Sequence, residues 1–148
     1  MATVDIALYQ PEAPGTPYTP AIATLTSSGR RLSGAEKLAQ RFLLELTTEK
    51  GSMTFSPTRG CNFLSVLRAG GIVRHEGDIL TVFYSSLLDI TNNLTAEELD
   101  TDPDDERFSS AELARIEINT GNITLQVSLH SRSNQVSTIT FPVQFYTA

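Results

Sequence analysis

The feature that most constrains the fold is a change in the spacing of apolar residues along the chain. From residue 35 to residue 94 they recur every three or four positions, as in amphipathic helices. Over the last forty residues they alternate with polar residues, as in half-buried strands. Helices followed by a sheet predict an α+β domain, with two or three N-terminal helices packed on a C-terminal three-stranded antiparallel meander.

Two long helices and one short helix are predicted before the sheet. Ser33 and Glu36 have the spacing of a capping box, in which each side chain bonds the other residue's backbone amide. Gly51 is expected to end the helix that begins there. A short helix is expected over residues 63–67, and a second long helix over residues 78–94.

The three predicted strands are separated by polar turns. They cover residues 114–119, 123–130 and 136–145. Ser109 and Glu112 have the spacing of another capping box, so a short helix just before the first strand is an alternative. Pro142 has no N–H to donate, which predicts that the third strand lies at an edge of the sheet.

The N-terminal residues 1–32 differ from the rest, which we assign to one domain over residues 33–148. Four prolines recur every third position from Pro11 to Pro20, a spacing that matches the three residues per turn of polyproline II. The segment has no periodic apolar face. It is either a disordered tail or an extended proline-rich arm that becomes ordered along a neighbouring subunit.

The net charge of −6 comes from one short segment of the chain. Residues 97–106 hold seven acids and no base, which leaves ten acids against eleven Lys and Arg elsewhere. We expect this acidic loop to face either a basic partner surface or solvent. The sequence has no basic stripe with interleaved aromatics, so nucleic acid is not an expected ligand. No apolar run is long enough for a membrane helix.

Candidate catalytic and metal-binding residues are few. Cys61 is the only cysteine and lies beside an apolar run, which is typical of a core residue. His75 is expected in a loop and His130 on the polar face of a strand. Glu45 and Glu49 are interpreted as exposed ion-pairing residues at the end of the first helix. No catalytic residue, no cofactor and no metal site is predicted.

One motif points to a family. The first long helix ends in Leu-Thr and is followed by Gly51, then by Pro57-x-x-Gly60, then by an apolar stretch. This pattern resembles the baseplate wedge or sheath-initiator family of contractile phage tails, formerly labelled lysozyme-like and related to type VI secretion baseplate components. The resemblance covers about residues 36–130.

Two positions depart from the family pattern. Ser52 stands where the family commonly has Glu. The family's Glu-Pro-Arg triplet at the start of the sheet is replaced by Leu113-Ala114-Arg115, so only Arg115 matches.

The resemblance implies a structural, non-enzymatic role in the virion. The protein would lie in the tail baseplate in six copies around the tail tube, after assembly in the host cytoplasm. Its partners would be the tail sheath protein and other baseplate wedge and hub proteins, and it would template the first ring of sheath subunits by β-augmentation. The alternatives are a baseplate lysozyme that cleaves peptidoglycan and a generic cytosolic adaptor domain. The expected partner-interface residues are Gly51, Pro57, Gly60, Arg115, Thr138 and Thr140.

Overall fold

A computed structural model describes residues 5–6, 31–69 and 75–144 of the chain. The elements in chain order are β1 (Asp5–Ile6), β2 (Arg31–Leu32), α1 (Gly34–Thr47), α2 (Phe63–Arg68), α3 (Glu76–Glu97), β3 (Phe108–Asn119), β4 (Asn122–Ser131) and β5 (Val136–Gln144). The strands β3, β4 and β5 form an antiparallel sheet in that order, which confirms the predicted α+β meander. Within these ranges no helix has the length and apolar character needed to span a bilayer.

The helix α1 begins where the sequence predicted, but another residue caps it. Ser33 is the capping residue by position, yet its side chain makes no capping hydrogen bond. Instead the amide of Gly34 donates to Oε1 of Glu106 at 3.1 Å, and Lys37 Nζ lies 2.7 Å from Oε2 of the same carboxylate. The predicted capping box is therefore wrong, because a carboxylate from a distant loop reaches the positive end of the helix first.

The C-terminal end of α1 also differs from the prediction. The helix ends at Thr47, and Gly51 lies in a turn beyond it. The hydroxyl of Thr47 donates to the carbonyl of Leu43 at 2.8 Å, and that of Thr48 donates to the carbonyl of Leu44 at 2.6 Å. The amide of Thr48 also donates to the carbonyl of Leu44 at 2.9 Å, so these hydroxyls add a second bond to the last carbonyls of a helix that stops before the glycine.

The core lies between the three helices and the inner face of the sheet. The aromatic rings join the helices to one another and to the sheet: Phe42 stacks on Phe108 at 6.2 Å between centroids, and Phe63 meets Phe83 edge to face at 5.9 Å. Leu32 is fully buried in the same core, so the packed domain includes the last residue of the segment predicted as an arm. Residues 7–30 of that segment lie outside the described residues.

Two bulges decide which side chains of β3 face the core. The pairing with β4 shifts between Phe108 and Ser110, and again between Leu113 and Arg115. Each shift moves by one residue the alternation of side chains between the two faces of the sheet. Ala114 is therefore exposed, although the sequence pattern predicts it on the apolar face. The alternative short helix near Ser109 is wrong, because the segment pairs with β4.

Candidate interaction site

The loop that carries Gly51 and the Pro57-x-x-Gly60 motif, residues 48–61, is closed at its base by main-chain hydrogen bonds. The amide of Cys61 donates to the carbonyl of Thr48 at 3.0 Å, and the amide of Lys50 donates to the carbonyl of Cys61 at 3.2 Å. Glu49 and Cys61 thereby form a parallel bridge. The two ends of the loop are thus fixed beside each other at the end of α1.

Three successive turns shape the loop between its ends. In each turn a backbone amide donates to the carbonyl three residues earlier. The three bonds are Ser52 to Glu49 at 3.1 Å, Ser56 to Met53 at 3.2 Å and Arg59 to Ser56 at 3.1 Å. Gly51 has φ +86°, the left-handed conformation that the third position of such a turn requires. Pro57 occupies the second position of the last turn, where its fixed φ is favourable.

A buried carboxylate holds the loop from inside. The side chain of Glu45 is only 2% exposed. Its Oε2 accepts hydrogen bonds from the Gly60 amide at 2.8 Å and from Asn93 Nδ2 on α3 at 2.9 Å, and its Oε1 pairs with Arg59 Nε at 2.5 Å. The interpretation of Glu45 as an exposed ion-pairing residue is therefore wrong. A buried charge of this kind is tolerated because every face of it meets a donor.

Gly60 is the point of closest approach between the loop and α1. Its φ is +83°, and a Cβ added to it would lie 2.2 Å from the carbonyl oxygen of Thr48. No other residue type fits there without moving the main chain. The glycine of the motif is thus explained by the loop's closure.

The tip of the loop exposes apolar side chains. Phe55 is 100% exposed and Met53 is 50% exposed. The eight residues from Gly51 to Thr58 carry no charge, and four of them are Ser or Thr. The charged residues at the two ends form ion pairs within the chain: Lys50 pairs with Asp89 on α3 at 2.9 Å, and Arg59 pairs with Glu45.

The single cysteine belongs to the base of this loop. Cys61 is buried, as predicted, and its Sγ donates to the carbonyls of Glu45 and Leu46, each at 3.6 Å. Desolvation by burial raises the pKa of the Cys61 thiol above its ordinary value. The thiol is a packing group, since a raised pKa lowers the fraction of reactive thiolate.

The predicted interface residues fall into two groups. Gly51, Pro57 and Gly60 lie together in the loop. Arg115 and Thr140 lie on the sheet, where both pair across the strands with Gln126 of β4. They therefore stand in one row, with Arg115 on one outer strand and Thr140 on the other.

These sheet residues differ in how accessible they are. The Arg115 side chain is largely exposed and pairs with Glu117. Thr138 is exposed, whereas Thr140 is only 8% exposed. Of the two threonines, Thr138 is thus the one that a partner could reach directly.

The two outer edges of the sheet have different chemistry. Among the described residues, β3 and β5 each pair with β4 alone. The edge strand β3 has two bulges and carries Glu112, Arg115 and Glu117, which are features that discourage strand pairing. The strand β5 has no charged residue, and its pairing with β4 is continuous from Val136 to Gln144.

The position of Pro142 fixes which main-chain groups of β5 point outward. Since Pro142 has no N–H and the ladder is continuous, it must occupy a pair that exchanges no hydrogen bonds with β4. Alternation along the strand then directs the N–H groups of Thr138 and Thr140 to the outer edge. Along this strand Val136, Thr138 and Pro142 are exposed, and Ser137 is half-buried.

The acidic segment is more ordered than its composition suggested. The side chains of Glu98 and Glu106 are 2% and 3% exposed, and Oε1 of Glu98 accepts a hydrogen bond from the amide of Phe108 at 2.5 Å. Asp100, in contrast, is fully exposed. Two of the seven carboxylates are thus buried, and Asp102 accepts a hydrogen bond from the amide of Leu99 at 2.8 Å. Among the described residues, no group of three or more His, Cys, Asp or Glu is arranged to hold a metal.

Sequence reasoning missed the residues that give this site its character. Phe55 had no role assigned, and Asn93 was one residue of a helical pattern. The signal for Phe55 was available, because an aromatic residue in an uncharged octet between a glycine and a Pro-x-x-Gly motif is unusual for a loop. The contact between Asn93 and Glu45 had no local signal, because it joins residues 48 positions apart.

Comparisons with known proteins add one similar structure. No protein-family model and no curated protein matches the chain. The chain is similar to a solved crystal structure from Geobacter sulfurreducens described as "putative tail lysozyme", at 18% sequence identity and a TM-score of 0.49. The alignment covers 79% of this chain and 96% of the other.

Proposed function

We propose that this protein is a structural, non-enzymatic component of a contractile phage tail, located in the baseplate, where it templates the first ring of tail sheath subunits. The observation that carries the proposal is the uncharged, unbulged outer edge of β5. An open edge of this kind can accept an extended strand from another chain. The contrast with the charged and bulged edge of β3 supports pairing on one side of the sheet alone.

The loop of residues 48–61 supports the assignment to this family. Its glycines and proline meet specific structural needs, namely the turn at Gly51, the turn at Pro57 and the close approach at Gly60. Each residue of the motif thus has a defined structural role in this loop, which supports the proposal.

Three carboxylates are held in structural contacts and are not available for hydrolysis of peptidoglycan. A glycosidase requires two carboxyl groups that flank the substrate's scissile bond. Glu45, Glu98 and Glu106 are instead turned into the protein, where they bind backbone amides. A turbidity assay on purified cell wall checks this proposal: clearing of the suspension by the purified protein would contradict a non-enzymatic role.

The test of the templating role is a proline substitution at the outer edge of β5. Thr138→Pro removes an outward N–H and leaves the inner ladder intact, whereas Thr138→Val retains that N–H and serves as the control. Each main-chain bond contributes only about 0.5–1.5 kcal/mol, but the contribution is repeated around a ring of subunits. We expect Thr138→Pro to abolish sheath assembly on baseplates and Thr138→Val to support it. Normal sheath assembly with a folded Thr138→Pro protein would exclude this edge as the template.

A further inference from the structure

We propose that the loop tip, residues 51–58, is a preformed anchor that inserts Phe55 into an apolar, uncharged pocket of another protein subunit. This surface is separate from the edge of β5. The inference therefore stands whether or not that edge templates a sheath.

The first argument is the exposure of Phe55 itself. A phenylalanine side chain offers a large apolar surface, and here all of it is in contact with solvent. Met53 adds a second, half-exposed apolar side chain two residues away. Aromatic residues that project from a surface are typical of the few residues that dominate binding energy at protein interfaces.

The second argument is that the tip stands on a rigid base. Glu45 joins α1, the loop and α3 through the Gly60 amide and Asn93. The carbonyl of Thr58 accepts a further hydrogen bond from Asn93 at 3.0 Å. Because the base is held from inside, little conformational entropy remains to be lost when Phe55 binds.

The third argument concerns the chemistry of the partner. The tip has no charge, and the flanking Lys50 and Arg59 already pair with Asp89 and Glu45. A pocket lined by charged groups would find no opposite charge on the tip to pair with. A membrane surface is disfavoured too, because peripheral binding to anionic lipids relies on free basic residues and this chain has a net charge of −6. An apolar pocket on a protein fits both observations.

The first experiment identifies what Phe55 touches. The full chain with Phe55→p-benzoylphenylalanine is produced in cells of its own organism, irradiated, and its cross-linked peptides are mapped by mass spectrometry. The control carries the same photoreactive residue in place of Leu88, an exposed apolar residue of α3. We expect cross-links from position 55 to converge on apolar residues of one protein. No cross-linked protein, or cross-links spread over many proteins, would overturn the proposal.

The second experiment measures the contribution of Phe55 to binding of that purified partner. We expect Phe55→Ser to raise the Kd at least about 30-fold, as for an anchor residue at an interface, and Leu88→Ser to change it less than about 2-fold. Phe55→Trp should retain most of the affinity. Since Phe55 has no contacts to lose, the unfolding midpoint of Phe55→Ser should not change. An unchanged Kd for Phe55→Ser, or Phe55-dependent sedimentation with phosphatidylcholine–phosphatidylglycerol vesicles, would contradict a protein pocket.

Discussion

The carboxylate of Glu45 and the backbone amide of Gly60, fifteen residues later, are joined by a buried 2.8 Å hydrogen bond. This bond ties the last turns of α1 to the far end of the loop. The same carboxylate oxygen also binds Asn93 of α3, so one side chain determines the relative positions of three segments.

We predict that Glu45→Ala lowers the free energy of unfolding by about 2–4 kcal/mol, because it leaves the buried Gly60 amide without its acceptor and removes one of the two carboxylates that pair with Arg59. The matched control is Glu49→Ala, which removes an exposed carboxylate four residues along and should change stability by less than about 0.5 kcal/mol. Urea unfolding of both variants provides the measurement. Equal effects of the two substitutions would show that Glu45 does not hold the loop.

Substitutions at two glycines, Gly60 and Gly121, distinguish the cost of backbone strain from the cost of a steric clash. Gly60 and Gly121 have nearly the same φ, +83° and +82°, but only Gly60 has a main-chain atom where a Cβ would lie. We predict that Gly121→Ala costs about 1 kcal/mol, from strain alone, and that Gly60→Ala costs at least about 3 kcal/mol. Thermal or urea unfolding distinguishes them. Similar costs at the two positions would mean that the loop can move away from Thr48.

The buried thiol of Cys61 makes stability depend on alkaline pH. Burial raises the pKa of this thiol above its ordinary value of 9.0, so the folded state keeps the proton that the unfolded state loses. The contribution of this thiol to stability is fully present below pH 9.0 and falls as the pH rises above that value. We predict that the unfolding midpoint declines above it, and that Cys61→Ala removes this part of the decline.

Thiol chemistry offers an independent check on Cys61. In the native protein at neutral pH, the reaction with a thiol-specific reagent should be slow and should become fast on unfolding. Rapid labelling of the native protein would contradict the burial of this side chain.

Leu32 marks where the N-terminal segment joins the core. We predict that Leu32→Ala lowers the free energy of unfolding by about 2–5 kcal/mol, as expected for a fully buried leucine. Deletion of residues 1–30 keeps Leu32 and removes, among the described residues, only the two-residue strand β1, so it should leave the unfolding midpoint almost unchanged and weaken assembly. A large loss of monomer stability on that deletion would show that the segment contributes to the core.

The helices and the meander could be predicted because their signals are local. Phe42 and Leu46 recur at helical spacing, and Leu125 and Val127 alternate with polar residues, so the pattern itself specifies the element and its inner face. The bulge at Ala114 could not be predicted from the spacing of apolar residues, because it depends on which residues of β4 lie opposite.

The candidate site was predictable only in part, for the same reason. Gly51, Pro57 and Gly60 are turn residues with local signatures, and they do shape the loop. Glu45 shows the limit of such reasoning: its spacing from Arg41 and Glu49 is typical of a surface ion pair, and only the return of the chain at Gly60 places it inside. Glu106 is a similar case, since its role at the start of α1 depends on a contact across 72 positions.

The closure of the loop has a consequence for how its tip can vary. Glu45, Gly60, Thr48 and Asn93 hold the base, and none of them belongs to the segment from Ser52 to Pro57. The residues of the tip can therefore be exchanged while the base of the loop keeps its structure. Related chains could alter the residue at position 55 to suit different neighbours without refolding the domain, and a foreign pentapeptide grafted between Gly51 and Pro57, which keeps both of these turn residues, should be displayed in the same place.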